Sequence, residues 1–154
     1  MPAYPVRPVR VSAHVPADPD QVFAFVSDTR HDPEWCENVE TVEMVEGDAI
    51  RPGARFRFHQ HLDRPGGRIQ FDVEVEVIEV GERRIRWRAE DRFQTRDITL
   101  RVEPDGSGSR IHQETRAIFR RKPGMARWLY PALARRIFRK QFEDLAAHFE
   151  ASGH

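Results

Sequence analysis

Cysteine is nearly missing from this chain of 154 residues: Cys36 is the only one. An internal disulfide is therefore excluded, and a reducing cytoplasm is the expected compartment. Long apolar runs are missing too. The opening stretch "MPAYPVRPVRV" carries prolines and arginines where a signal peptide or a membrane span needs a greasy segment. Charge of one sign is lacking, with 25 basic against 25 acidic residues. Nothing in that balance calls for nucleic acid as a partner. Catalytic signatures are equally scarce. There is no Ser/His/Asp set, no Cys/His pair, no glycine loop to cradle phosphate and no spaced Cys/His metal cluster. No metal or cofactor is implied. Repeats and low-complexity blocks are absent, and no linker divides the chain. One domain over residues 1–154 is expected, large enough to bury about 70% of its unfolded surface.

What is present is alternation. In "VRVSAHV" (9–15), Val9, Val11, Ala13 and Val15 share one face, and Arg10, Ser12 and His14 the other. "ARFRFHQHL" (54–62) sets Ala54, Phe56, Phe58, Gln60 and Leu62 against Arg55, Arg57, His59 and His61. "RIQFDVEVEVIEV" (68–80) turns Ile69, Phe71, Val73, Val75 and Val77 inward, and its phase slips at Val77–Ile78, the mark of a bulge. Three further strands place Ile85, Trp87 and Ala89, then Ile98, Leu100 and Val102, then Ile111, Gln113, Thr115, Ala117 and Phe119 on the inner side. Short turns at Pro65-Gly66-Gly67, Gly81 and Asp105-Gly106 separate them, so the sheet is an antiparallel meander with one dry and one wet face. Arginines and glutamates on the wet face read as cross-strand pairs on a solvated surface.

Two helical regions frame these strands. Asp18 is a good N-cap, Pro19 suits the first helical position, and Gln21 completes a capping box ahead of Val22, Phe25 and Val26. A second helical turn is expected over Pro33–Cys36. From Pro123 to about Ala151 the period is helical. Ala134, Ile137, Phe138, Phe142, Leu145 and Phe149 form one apolar arc, with Arg136, Arg139, Lys140, Glu143 and Ala147 opposite. Met125, Trp128, Leu129 and Ala132 lie on a different arc, and a kink or break at Pro131 would reconcile the two.

A strand, two short helices, a run of strands and a long helix make an α+β domain. The sheet can curve around that last helix without being filled by it, which leaves a cavity. The order resembles the START-like (SRPBCC) superfamily, the helix-grip fold of birch-pollen-allergen-like (Bet v 1-like) proteins and of bacterial polyketide cyclase and lipid-transport-like proteins. The residues that carry the resemblance are "VPADPDQVFAFVSDTRHDPEW", "RIRWRAE", "EPDGSGSRIHQET" and "RWLYPALARRIFRKQFEDLAAHFE", which together span nearly the whole chain. It implies a small hydrophobic or aromatic ligand, polyketide- or lipid-like, held between sheet and C-terminal helix. The alternative it implies is a polyketide cyclase or dehydratase, which needs only a shaped cavity, an acid and a base. Fold alone does not choose between them.

Within this frame Trp35, placed in the polar stretch "TRHDPEWCENV", reads as a plug turned inward, either as plain core or in contact with ligand. Burying it contributes roughly 1.5–3 kcal/mol. Cys36 beside it is a packing thiol. The apolar lining expected for the cavity is Phe58, Phe71, Trp87, Ile98, Ile111 and Ile137. Gln60, Gln113 and Thr115 stand where apolar residues are due, and must pair with each other, with water or with a ligand. Arg96 and Asp91 share the inward parity, either as an ion pair closing a strand end or as ligand contacts. Tyr130 either overhangs the mouth or packs in the helix. Arg96, Asp91, Gln113 and Tyr130 are the candidates for acid, base and orienting groups. His59 and His61 share a face with metal-ligand spacing, and Glu74 or Glu76 could add a carboxylate. That face is the charged outer one, so solvated histidines are expected. Finally, no acid occurs between Glu114 and Glu143, while Arg116, Arg120, Arg121, Lys122, Arg127, Arg135, Arg136, Arg139 and Lys140 accumulate. This helix either docks weakly on an anionic membrane or an acidic carrier protein, or presents an ordinary solvated face.

Overall fold

The alternating segments pair into a single sheet. The computed structural model describes residues 3–152, and only the backbone of Arg64, Ala126 and Arg127. Along the chain run β1 (Tyr4–Pro5), β2 (Val9–Val15), α1 (Pro19–Ser27), a 3-10 helix (Thr29–Glu34), β3 (Val39–Glu46) and β4 (Arg55–Arg64). Then follow β5 (Gly67–Gly81), β6 (Arg84–Glu90), β7 (Gln94–Asp105), β8 (Gly108–Phe119) and α2 (Ala126–Ala151). The sheet order is β1-β8-β7-β6-β5-β4-β3, with β2 also paired to β8, and every pairing is antiparallel. The sheet curves around α2, which packs across β2.

Side-chain parity explains the layering. Phe56, Val73, Val77, Ile85 and Ile111 are fully buried on the inner face and share one core with Phe142, Leu145 and Phe149 of α2. The outer face pairs its charges across strands, as Arg57 with Glu74 at 2.8 Å and Arg86 with both oxygens of Asp97 at 2.7 and 2.8 Å. Such exposed pairs contribute about 0–1 kcal/mol each, so burial rather than charge holds the sheet. The expected bulge falls where the phase slips, between Val77 and Glu79 against β6. Asp18 caps α1 by accepting from the N–H groups of Asp20 and Gln21.

Four expectations need correction. The second helical turn spans Thr29–Glu34, not Pro33–Cys36, because the Asp28 carboxylate accepts from the Arg30 N–H and starts it early. It ends where the N–H groups of Trp35 and Cys36 both donate to the Asp32 carbonyl. Strands β1 and β3 went unforeseen: β1 is two residues long, and β3 is an exposed edge with register shifts at Val39/Thr41 and Met44/Glu46. Helix α2 runs through Pro131 without a break. The two arcs are reconciled by exposure instead, since Met125, Trp128 and Leu129 face solvent. Lastly, His61 is not solvated. Its side chain is mostly covered, with Nδ1 3.9 Å from Glu40, while His59 stays exposed beside Asp72. No group of three or more metal-ligating side chains gathers among the described residues. No described helix is long and apolar enough to cross a membrane.

Candidate functional site

Because α2 lies over β2, the inner face of β4 to β7 is left partly uncovered. A cavity of about 450 Å³ occupies that space. Phe58, Phe71, Trp87, Ile98 and Ile137 line it, as do Trp35 and Gln60 from the 3-10 helix and β4 side. Its lining residues Leu62, Phe93 and Leu133 are exposed, and they mark where it opens, between the β4–β5 hairpin, the β6–β7 turn and the first turns of α2. Phe71 and Phe93 meet edge to face at 5.6 Å near this rim.

Two expected lining residues stand elsewhere. Ile111 and Thr115 are fully buried but do not reach the cavity. Ile111 pairs with Ala13 and Val102, and Thr115 with Val9 and Ile98, on the side of the sheet that α2 covers. Thr115 keeps a polar task there, accepting from the Gln113 side-chain amide at 3.3 Å. Gln113 itself does line the cavity.

The polar groups fall into two sets. One sits where β6 turns into β7, facing Tyr130. Asp91 is buried, and its Oδ1 accepts from the N–H groups of Phe93 and Gln94 at 2.7 and 3.0 Å. Its Oδ2 lies 3.7 Å from the Arg96 guanidinium. The ion pair thus closes a strand end, and Arg120 reinforces the turn by donating to the Asp91 carbonyl. The Nε of Arg96 and the Oε1 of Gln94 are buried with no partner among the described residues. Burial raises the Tyr130 phenol above its ordinary value, against the opposing pull of the Arg96 charge. Its ring packs on Phe119 at 5.2 Å.

The other set belongs to the 3-10 helix and to the middle of α2. Thr29, Asp32, Trp35, Cys36 and Asn38 line this wall, where Gln141 donates to the Asn38 side-chain oxygen at 3.0 Å. Trp35 is buried and stacks on Phe142 with centroids 6.3 Å apart, so it is core and cavity wall at once. Burial above all pushes the Cys36 thiol well up, so it stays a neutral packing group. The sequence reading missed Asp32, Asn38, Gln94 and Gln141. The first two sit in turn-like sequence with no parity to read. Gln94 opens its strand, and Gln141 neighbours the apolar arc of α2 on the helical wheel.

A curved antiparallel sheet gripping a long C-terminal helix, with an apolar cavity between them, defines the START-like helix-grip class. Within it, this chain belongs to the polyketide cyclase / dehydrase and lipid transport family, whose model matches residues 7–150. Solved structures agree on the fold. A protein from Thermus thermophilus superposes with a TM-score of 0.74 at 22% identity, over 96% of this chain and 100% of its own. A START superfamily protein from Mycobacterium smegmatis gives 0.74 at 16% identity, over 94% and 97%. The Zhui aromatase/cyclase from Streptomyces sp. R1128 gives 0.72 at 17% identity, over 94% and 93%. No curated protein matches the sequence.

Proposed function

We propose that this protein binds a small, largely apolar or aromatic molecule, polyketide- or lipid-like, in the cavity between sheet and α2. The observation that carries this reading is the cavity itself: about 450 Å³ of space, walled mainly by aromatic and aliphatic side chains, with an apolar rim. Space of that kind is unfavourable to leave in a core and suits an apolar guest. The single cysteine, buried and free, supports a reducing, cytoplasmic setting. A cyclase or dehydratase would draw on Arg96, Asp91, Gln113 and Tyr130. Asp91 already holds a turn and Gln113 is bonded to Thr115, so binding is the better supported role. Native mass spectrometry of freshly purified protein should show added mass that organic extraction removes. In a Trp128→Phe background, ethylnaphthalene should quench the fluorescence of Trp35 and Trp87. Failure of both measurements would remove the reading.

A second reading concerns where such a molecule comes from. Met125, Trp128, Leu129 and Leu133 are the most exposed large apolar side chains described, at 79%, 80%, 61% and 56%. They stand on the first turns of α2, and Leu133 also lines the cavity. Arg121, Lys122, Arg136 and Arg139 flank them and are exposed. The side chain of Arg127 lies outside the described residues. An apolar wedge with a basic surround is the pattern of contact with an anionic bilayer. Vesicles of mixed neutral and anionic lipid should retain the protein at low salt and release the variant in which Trp128 and Leu129 are serine. If vesicles ignore the wild type, this contact does not exist, and a pull-down on an acidic carrier protein becomes the next measurement.

A further inference from the structure

On the 3-10 helix side of the cavity three polar groups have nothing to bond. Thr29 Oγ1, Asp32 Oδ1 and the indole nitrogen of Trp35 are all closed off from solvent and lack a partner among the described residues. All three residues line the same cavity. Asp32 keeps some exposure as a residue, but its Oδ1 does not share it. Buried polar atoms are bonded in the large majority of cases, so three orphans on one wall need an explanation. This wall is also distinct from the Asp91–Arg96 pair. It meets α2 at Gln141 and Phe142, whereas that pair faces Tyr130, eleven residues and roughly 16 Å back along the helix.

We propose that Asp32, with Thr29 and the Trp35 indole N–H, forms an oxygen-recognising subsite, in which Asp32 donates a hydrogen bond to a carbonyl or hydroxyl oxygen of the bound molecule. This rests on the reading of the cavity as a binding site. The chemistry follows from the neighbours. Among the described residues no cation faces Asp32 on this wall, because the Arg30 guanidinium is turned back onto both oxygens of Asp28 at 2.8 Å. The charges that reach it are acidic. Burial first and the charge of Asp28 second raise the Asp32 carboxyl well above its ordinary value. Burial without a facing cation favours the protonated carboxyl, which has one O–H to give. Trp35 offers a second donor and the Thr29 hydroxyl offers either role. A wall of donors set into an apolar cavity selects a neutral oxygen acceptor on an apolar body. It discriminates against a plain hydrocarbon.

The test uses the intact protein and matched probes: methyl naphthyl ketone and ethylnaphthalene, which share a carbon frame and differ by one carbonyl oxygen. The quantity read is the ratio of their affinities. Replacing Asp32 by leucine should lower the ketone preference about three- to tenfold, the value of one neutral hydrogen bond. Asp32→Asn keeps a donor and should retain the preference. If the ratio is the same in wild type and Asp32→Leu, the subsite does not exist, while the cavity reading stands. If the cationic probe naphthylethylamine binds the wild type more tightly than the ketone and Asp32→Asn abolishes this, Asp32 is an ionised carboxylate and the proposal is wrong. If neither neutral probe enters the wild type, the cavity reading falls and takes the subsite with it.

Discussion

Asp32 and Asp91 are both acids turned inward, and their partners separate them. Asp91 spends one oxygen on two backbone N–H groups and the other on Arg96. Asp91→Ala should therefore lower stability by about 1–3 kcal/mol in urea unfolding, because two part-buried N–H groups lose their acceptor. Arg96→Ala should cost less, since its Nε is already unpartnered. Equal losses would mean that the ion pair, not the turn, dominates. Asp32 has the reverse effect. Its folded-state carboxyl titrates well above 3.8, so the unfolded chain releases that proton first as pH rises. Stability is therefore lost above the unfolded value and levels off above the folded one. Asp32→Asn should be the more stable protein at neutral pH, with the gain vanishing below pH about 3.9. Thermal unfolding of the two proteins across this range checks the sign. Strand parity made Asp91 and Arg96 legible in the sequence. Asp32 was not, because "HDPEW" reads as a solvated turn, and only the closure of β3 and α2 over it turns a turn acid into a cavity wall.

At the level of elements, alternation was enough where a strand has one buried face. β2, β4 and β5 sit within two residues of their expected bounds, bulge included, and β6, β7 and β8 form around the inward residues expected of them. The edge strand β3 was silent because Glu40, Glu43 and Glu46 and two register shifts erase the period. Ile111 and Thr115 show a different limit. Parity assigns the face of a sheet correctly but does not say how much of that face the helix will cover. The β7–β8 hairpin offers a sharp test of packing between elements. Gly106 takes φ +61° at its tip, where only open space surrounds it. A Cβ on Gly108 would instead stand 2.5 Å from the Val15 carbonyl oxygen, at the end of β2. Gly108→Ala must push β2 away from β8 and should destabilise by about 1–3 kcal/mol, as overpacked sites do. In α2, Leu145 is fully buried, and Leu145→Ala should cost about 2–5 kcal/mol. A Gly108→Ala protein as stable as wild type in urea would mean that the hairpin yields where β2 meets it.

Across the whole molecule, stability and the proposed binding pull against each other at the cavity. A fold that filled the space between sheet and helix would gain dispersion contacts that this one forgoes. Ala89 and Ala134 are where that conflict is most exposed to test, because both are buried, both line the cavity, and they approach it from β6 and from α2. A larger apolar side chain at either position would extend into that space. Ala134→Leu should therefore raise stability by about 0.5–2 kcal/mol, the usual return from filling a cavity, while weakening the binding of ethylnaphthalene at least tenfold. Added ethylnaphthalene should raise the Tm of the wild type and leave that of the variant nearly unchanged, since only a protein that binds the probe is stabilised by it. The two effects must appear together. Gain of stability with undiminished binding would place the guest outside this cavity. Loss of stability would show that Ala134 is small because the helix packs closely there, and the space that a ligand needs would then have to lie toward Ala89 and the Leu62–Phe93 rim.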